Sequence, residues 1–91
     1  MVTILVPTPM RKVTGGQGKI QINAQTLQEA FDHADAAYPG FRERVLDEQG
    51  EIKRFINVFV NGVDVRTLQG RATPVHDNDQ VAVIPAMAGG A

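Results

Sequence analysis

Apolar and polar positions alternate with two different periods along this chain. Residues 2–6, Val-Thr-Ile-Leu-Val, are apolar and rich in β-branched side chains, which predicts a strand ended by Pro7. Residues 19–23, Lys-Ile-Gln-Ile-Asn, alternate strictly, with Ile20 and Ile22 on one face. Between them, Thr-Gly-Gly-Gln-Gly at 14–18 has the chemistry of a turn, so the two strands read as a hairpin with a long loop. The period then lengthens. Leu27, Ala30, Phe31, Ala34, Ala37 and Tyr38 recur at helical intervals, with Gln28, Asp32, His33 and Asp35 on the other face. Thr26 and Glu29 have the spacing of a capping box, and Pro39-Gly40 stops the helix.

The second half returns to strand spacing. Phe-Arg-Glu-Arg-Val-Leu at 41–46 allows one more helical turn, and 47–51 reads as a polar turn. Residues 54–60, Arg-Phe-Ile-Asn-Val-Phe-Val, carry the strongest strand pattern. Asn61-Gly62 is a hairpin signal, and residues 63–66 form the returning strand. A last strand covers 80–85. The order is strand, strand, helix, strand, strand, strand. One main helix packs on one face of a sheet, so this is a two-layer α+β domain. The small β-grasp (ubiquitin-like) roll fits, with a mixed sheet whose first and last strands are parallel neighbours at the centre. Residues 1–85 form that domain, and 86–91, Ala-Met-Ala-Gly-Gly-Ala, a flexible tail.

Alternation also assigns faces. Ile56, Val58 and Val60 point to the helix, and Phe55, Asn57 and Phe59 to the uncovered side. In the last strand Val81 and Val83 point in, and Ala82 and Ile84 out. A patch containing Phe59 and Ile84, continued by Pro85 and Met87, suits protein docking; coverage by local loops is the simpler alternative.

Composition narrows the chemistry. A chain of 91 residues with 43% apolar content is one globular domain, and a formal charge of −1 gives no net positive field for nucleic acid or anionic membranes. With no cysteine, there are no disulfides, thiolate nucleophiles or cysteine-held metals. The N-terminal apolar run is too short for a signal peptide and lacks a basic flank, so the expected location is the cytoplasm. Gly-Gly-Gln-Gly-Lys at 15–19 lacks phosphate-loop spacing and precedes a strand. His33 and His76, the two histidines, have no metal-binding spacing, and His-Asp-Asn-Asp at 76–79 reads as a turn in which Asn78 takes the left-handed conformation. Arg42, Arg44, Lys53 and Arg54 are interspersed with acids and read as a solvated surface. No nucleophile, base and orienting group come together, so no catalytic residue and no resident metal is assigned.

The tail stands apart from this. Gly89 and Gly90 have no side chains, so an extended chain here can enter a channel that any side chain would block. Six residues after Pro85 span at most about 20 Å.

With these residues in view, the sequence resembles a known family, the ubiquitin-like sulfur carriers of the MoaD/ThiS type. Residues 55–66, Phe-Ile-Asn-Val-Phe-Val-Asn-Gly-Val-Asp-Val-Arg, resemble their central hairpin. Residues 76–90 resemble their last turn, last strand and Gly-Gly terminus, with Asp77-Asn78-Asp79 where Asp-Gly-Asp is frequent. The similarity is greatest to the branch serving cysteine- or homocysteine-type amino-acid synthesis. The resemblance implies a cosubstrate and not an enzyme. An E1-like adenylyltransferase would use ATP to activate the Gly90 carboxylate, sulfide or a persulfide would displace AMP, and the thiocarboxylate would pass sulfur to an acceptor enzyme, for which a pyridoxal-phosphate enzyme is a candidate. No cofactor is bound by the carrier itself. One feature departs from the pattern: Ala91 holds the Gly90 carboxylate in a peptide bond. Either a peptidase, such as a JAMM-type zinc metallopeptidase, cleaves between Gly90 and Ala91, or Ala91 is a cloning remnant, or the chain no longer carries sulfur. Two other functions share these features. One is a modifier conjugated through Gly90 to lysines, and the other is a non-covalent interaction domain with an inert tail. Molybdopterin and thiazole synthesis are alternative destinations for the sulfur.

Overall fold

The structure is a computed structural model and describes residues 1–85. The tail assigned to 86–91 therefore lies outside the described residues. Five strands form one mixed sheet: β1 (Val2–Leu5), β2 (Lys19–Ile22), β3 (Ile56–Val60), β4 (Val63–Asp64) and β5 (Gln80–Pro85). Their spatial order is β2-β1-β5-β3-β4. The long N-terminal loop makes β1 and β2 antiparallel, while β1 and β5 run parallel with Ile4 opposite Val81. Because the chain crosses over the sheet once between β2 and β3, β5 can enter between β1 and β3 and pair with both. This is the β-grasp arrangement.

The helix α1 (Leu27–Ala37) covers one face. The Thr26 hydroxyl accepts from the Glu29 N–H at 3.2 Å. The Glu29 carboxylate reaches back to the Gln25 N–H at 3.1 Å, one residue earlier than the standard capping box. Leu27, Ala30, Phe31 and Ala34 are fully buried. They meet Ile4, Val58, Val81 and Val83 of the three central strands in one cluster. A short second helix, α2 (Phe41–Val45), starts after Gly40 at φ 98° and adds Phe41 to the core, 6.3 Å from Phe31 between ring centroids. The Asp35 carboxylate accepts from the N–H groups of Gly40 and Arg42, fixing the bend between the helices.

Three local expectations change. Ala37 is exposed and Tyr38 half-buried, because the helix ends at Ala37 and Tyr38 leaves helical geometry at φ −134°, ψ 83°. β3 begins at Ile56, leaving Arg54 and Phe55 in the preceding turn. The returning strand is two residues long, since the Asp64 carboxylate accepts from the Arg66 N–H at 2.9 Å and caps a 3-10 turn over Val65–Thr67.

Candidate functional site

With both helices on one side, the other face of the sheet is left open, with β5 at its centre. Strand register builds that face row by row. Lys19 pairs with Leu5, Leu5 with Ala82, Ala82 with Phe59, and Phe59 with Asp64. These five side chains form a cross-strand line of alternating chemistry: a cation at one edge, three apolar groups, an acid at the other. The next row toward the exit pairs Ile84 with Asn57. Ile84 is 48% exposed, Phe59 and Pro85 are half-buried, and Phe59 is the diagonal neighbour of Ile84. Two of the four sequence-predicted docking residues, Phe59 and Ile84, thus lie together on the open face, while Pro85, paired with the inward-facing Ile56, borders it only at the end of the strand. Met87, like Gly89, Gly90 and Ala91, lies outside the described residues.

The end of β5 borders a shallow groove of about 420 Å³, lined among others by Leu5, Pro7, Arg11, Lys19, Ile84 and Pro85. Pro85 is opposite Ile56 at the last register position of β5, so its missing N–H falls where pairing ends. The Arg11 Nε donates to the Val6 carbonyl at 3.1 Å, and a Cβ on Gly18 would come within 3.0 Å of its guanidinium. The groove therefore has an apolar floor and two cationic groups on one flank.

Arg66, in the 3-10 turn after β4, lies outside that groove and borders a second small cavity with Glu51, Ile52 and Arg71; the sequence pattern does not single it out. One of its terminal nitrogens donates to Asn57 Oδ1 at 2.9 Å. The other donates to the carbonyls of Ile56 at 2.8 Å and Lys53 at 3.2 Å. The available signal was the Asp64-x-Arg66 spacing after an Asn-Gly hairpin: the acid caps the turn that swings the arginine back over β3.

The remaining polar groups serve the fold. Asp79, at the far end of the sheet, accepts from Asn61 Nδ2 at 2.9 Å and from the His76 N–H at 2.8 Å. These hydrogen bonds hold its carboxyl below the ordinary value of 3.8, the Asn61 contact contributing most. The His33 Nδ1–H donates to the Asn23 carbonyl. Arg42 faces Asp32 at 3.4 Å and Arg71 faces Glu51 at 2.8 Å, as a mixed-charge solvated surface requires. Among the described residues, no three of His, Cys, Asp and Glu gather into a metal-binding group. No helix among them is long and apolar enough to cross a membrane. The face is suited to binding another protein beside an emerging chain end.

Comparison with known proteins agrees with this geometry. A family model described as the ThiS family matches residues 4–90. The sulfur carrier protein CysO of Mycobacterium tuberculosis (strain H37Rv) is 41% identical over 91 residues, covering 98% of each chain. Small archaeal modifier protein 3 of Haloferax volcanii is 40% identical over 65 residues, covering 71% of this chain and 70% of that one. A chain in the crystal structure of the Amycolatopsis orientalis BexX/CysO complex superposes with a TM-score of 0.93 at 36% identity, covering 98% of this chain and 99% of that one. The family match spans both the β-grasp sheet and the residues that follow β5, and the chain belongs to the ThiS family.

Proposed function

We propose that this chain is a sulfur carrier that bears its cargo on the Gly90 carboxyl group, for synthesis of a sulfur-containing amino acid. The observation that carries this reading is the end-to-end similarity to CysO, a sulfur carrier protein, in a chain where Gly89-Gly90 follows β5 by four residues. The chemistry follows from what a carboxylate lacks. It is a poor electrophile, so an E1-like partner transfers AMP from ATP to it and releases pyrophosphate. Sulfide then attacks the acyl carbon; a C–S bond forms, the C–O bond to AMP breaks, and a thiocarboxylate remains. The carrier contributes position and not catalysis. Its sheet docks on the partner, and the five residues from Ala86 to Gly90 reach at most about 17 Å into the active site. The acceptor of the sulfur is a biosynthetic enzyme, and a pyridoxal-phosphate enzyme is suited to the amino-acid product.

Ala91 blocks this chemistry until it is removed. A carboxylate one residue further along lies about 3.5 Å beyond the reacting position, and misplacement by about 1 Å can cost on the order of a hundredfold in rate. A peptidase, for which a JAMM-type zinc enzyme is the candidate, would therefore control entry into the cycle. The test presents the chain ending at Gly90 and the chain retaining Ala91 to the adenylating partner with ATP and sulfide. Intact mass reads the replacement of one oxygen by sulfur. The Gly90 form is expected to gain the thiocarboxylate and the Ala91 form to resist it. Equal gain by both removes the block, and gain by neither overturns the carrier reading.

A second reading is favoured by the similarity to small archaeal modifier protein 3: conjugation of Gly90 to lysines of other proteins. It shares the activation step. Isopeptide-linked conjugates in cell extracts, absent when Gly90 is deleted, would identify it.

A further inference from the structure

Among the described arginines, Arg66 is the one whose guanidinium is fixed by three hydrogen bonds. All three acceptors are neutral: an amide oxygen and two backbone carbonyls. Arg42 and Arg71 each face a carboxylate, and among the described residues Arg66 does not. The nearby acid, Asp64, accepts from the Arg66 backbone N–H instead. The side chain is exposed, its orientation is set by folding, and among the described residues no carboxylate is paired with its guanidinium, the nearby Glu51 being engaged by Arg71. A guanidinium has five N–H donors, so two remain.

Its position matters as much as its charge. The Asn57 side chain that holds it stands on the open face, directly opposite Ile84, and Ile56, whose carbonyl also holds it, is opposite Pro85. A pre-oriented cation is therefore held by the residue that pairs with exposed Ile84, one position before the end of β5. A simple clasp between the 3-10 turn and β3 would need the donors but not an outward charge. We infer that Arg66 is a docking residue that receives a carboxylate side chain of the adenylating partner, next to the apolar contact made by Ile84. This inference rests on the carrier reading above. The charge-assisted bonds would form with little further loss of side-chain freedom, because the fork is already held.

The test uses the chain ending at Gly90 and its adenylating partner, with pyrophosphate exchange as the readout at low and high salt. Arg66→Gln keeps donors but removes the charge, Arg66→Lys keeps the charge, and thermal midpoints are recorded for both. Arg66→Gln is expected to raise KM about tenfold with kcat within about twofold, and to flatten the rise of KM with salt seen for the unmodified chain. Arg66→Lys is expected to recover much of the loss. A KM and salt response for Arg66→Gln equal to those of the unmodified chain, or a KM loss that tracks the thermal midpoint and is the same for Gln and Lys, overturns the inference. An unmodified chain that supports no exchange overturns the carrier reading itself, and this inference falls with it.

Discussion

Asn61 is engaged three ways at the hairpin tip. Its φ of 50°, followed by 86° at Gly62, makes the tight turn between β3 and β4. Its side-chain oxygen accepts from the Gln80 N–H at 3.0 Å while its amide donates to Asp79. The hairpin is thereby clipped to the turn that starts β5. The Asp79 carboxyl lies below its ordinary value because the folded protein hydrogen-bonds the charged form. The sign follows: the contribution is fully present above the ordinary value of 3.8 and is lost as pH falls through the lower folded value. Asp79→Asn is expected to be less stable than the parent at neutral pH, with the difference closing toward about pH 2. Urea melts at the two pH values check this, and an unchanged difference would sink the assignment. The turn residues were legible in the sequence because positive φ is a local demand; Asn78, at φ 73°, was placed for the same reason. Arg66 was not legible, because its backbone acceptors lie 10 and 13 positions away and only folding brings them near.

At the scale of the element, α1 illustrates how far pattern carries. The Thr26 cap, the stripe from Leu27 to Ala34 and the Pro39-Gly40 stop were readable, since each depends on neighbours within one or two turns, whereas Ala37 and Tyr38 fit the same spacing and are not part of the buried stripe. Thr26→Ala removes the acceptor for the Glu29 N–H and is expected to cost about 1 kcal/mol, seen as a lower urea midpoint with an unchanged slope. A cost near zero would mean that the Glu29 contact to Gln25 and the Thr26 bridge to Pro74 hold the helix start without the hydroxyl. The shortness of β4 was not readable. Val-Asp-Val alternates as a strand does, but Asp64 also suits a cap, and the cap wins because Val65 becomes fully buried in the 3-10 turn. Periodicity records which residues want burial; it does not record which of two backbone geometries delivers them.

For the molecule as a whole, the decisive fact is that one main helix serves a five-stranded sheet. One face becomes core and the other is left open, and the parallel pairing of β1 with β5 sets the exit of the chain at the end of that open face. The element order makes this topology readable, and strand alternation alone places Phe59 and Ile84 outward. The cations around it were not readable, because Lys19 and Arg11 come from separate segments that only folding brings to one groove, and Arg66 is held by backbone carbonyls distant in sequence. The open face is where substitution should separate binding from folding. Phe59 is half-buried between Ala82 and Asp64, so Phe59→Asp combines lost packing with lost docking. Ile84 is 48% exposed and opposite a polar Asn57, so Ile84→Asp removes little from the fold. Placed in a desolvated interface, the same carboxylate would lie against apolar partner groups. Ile84→Asp is expected to weaken binding to the adenylating partner by more than about tenfold in calorimetric titration, with a thermal midpoint within a few degrees of the parent. Full affinity with an intact fold would move the apolar docking contact off the open sheet.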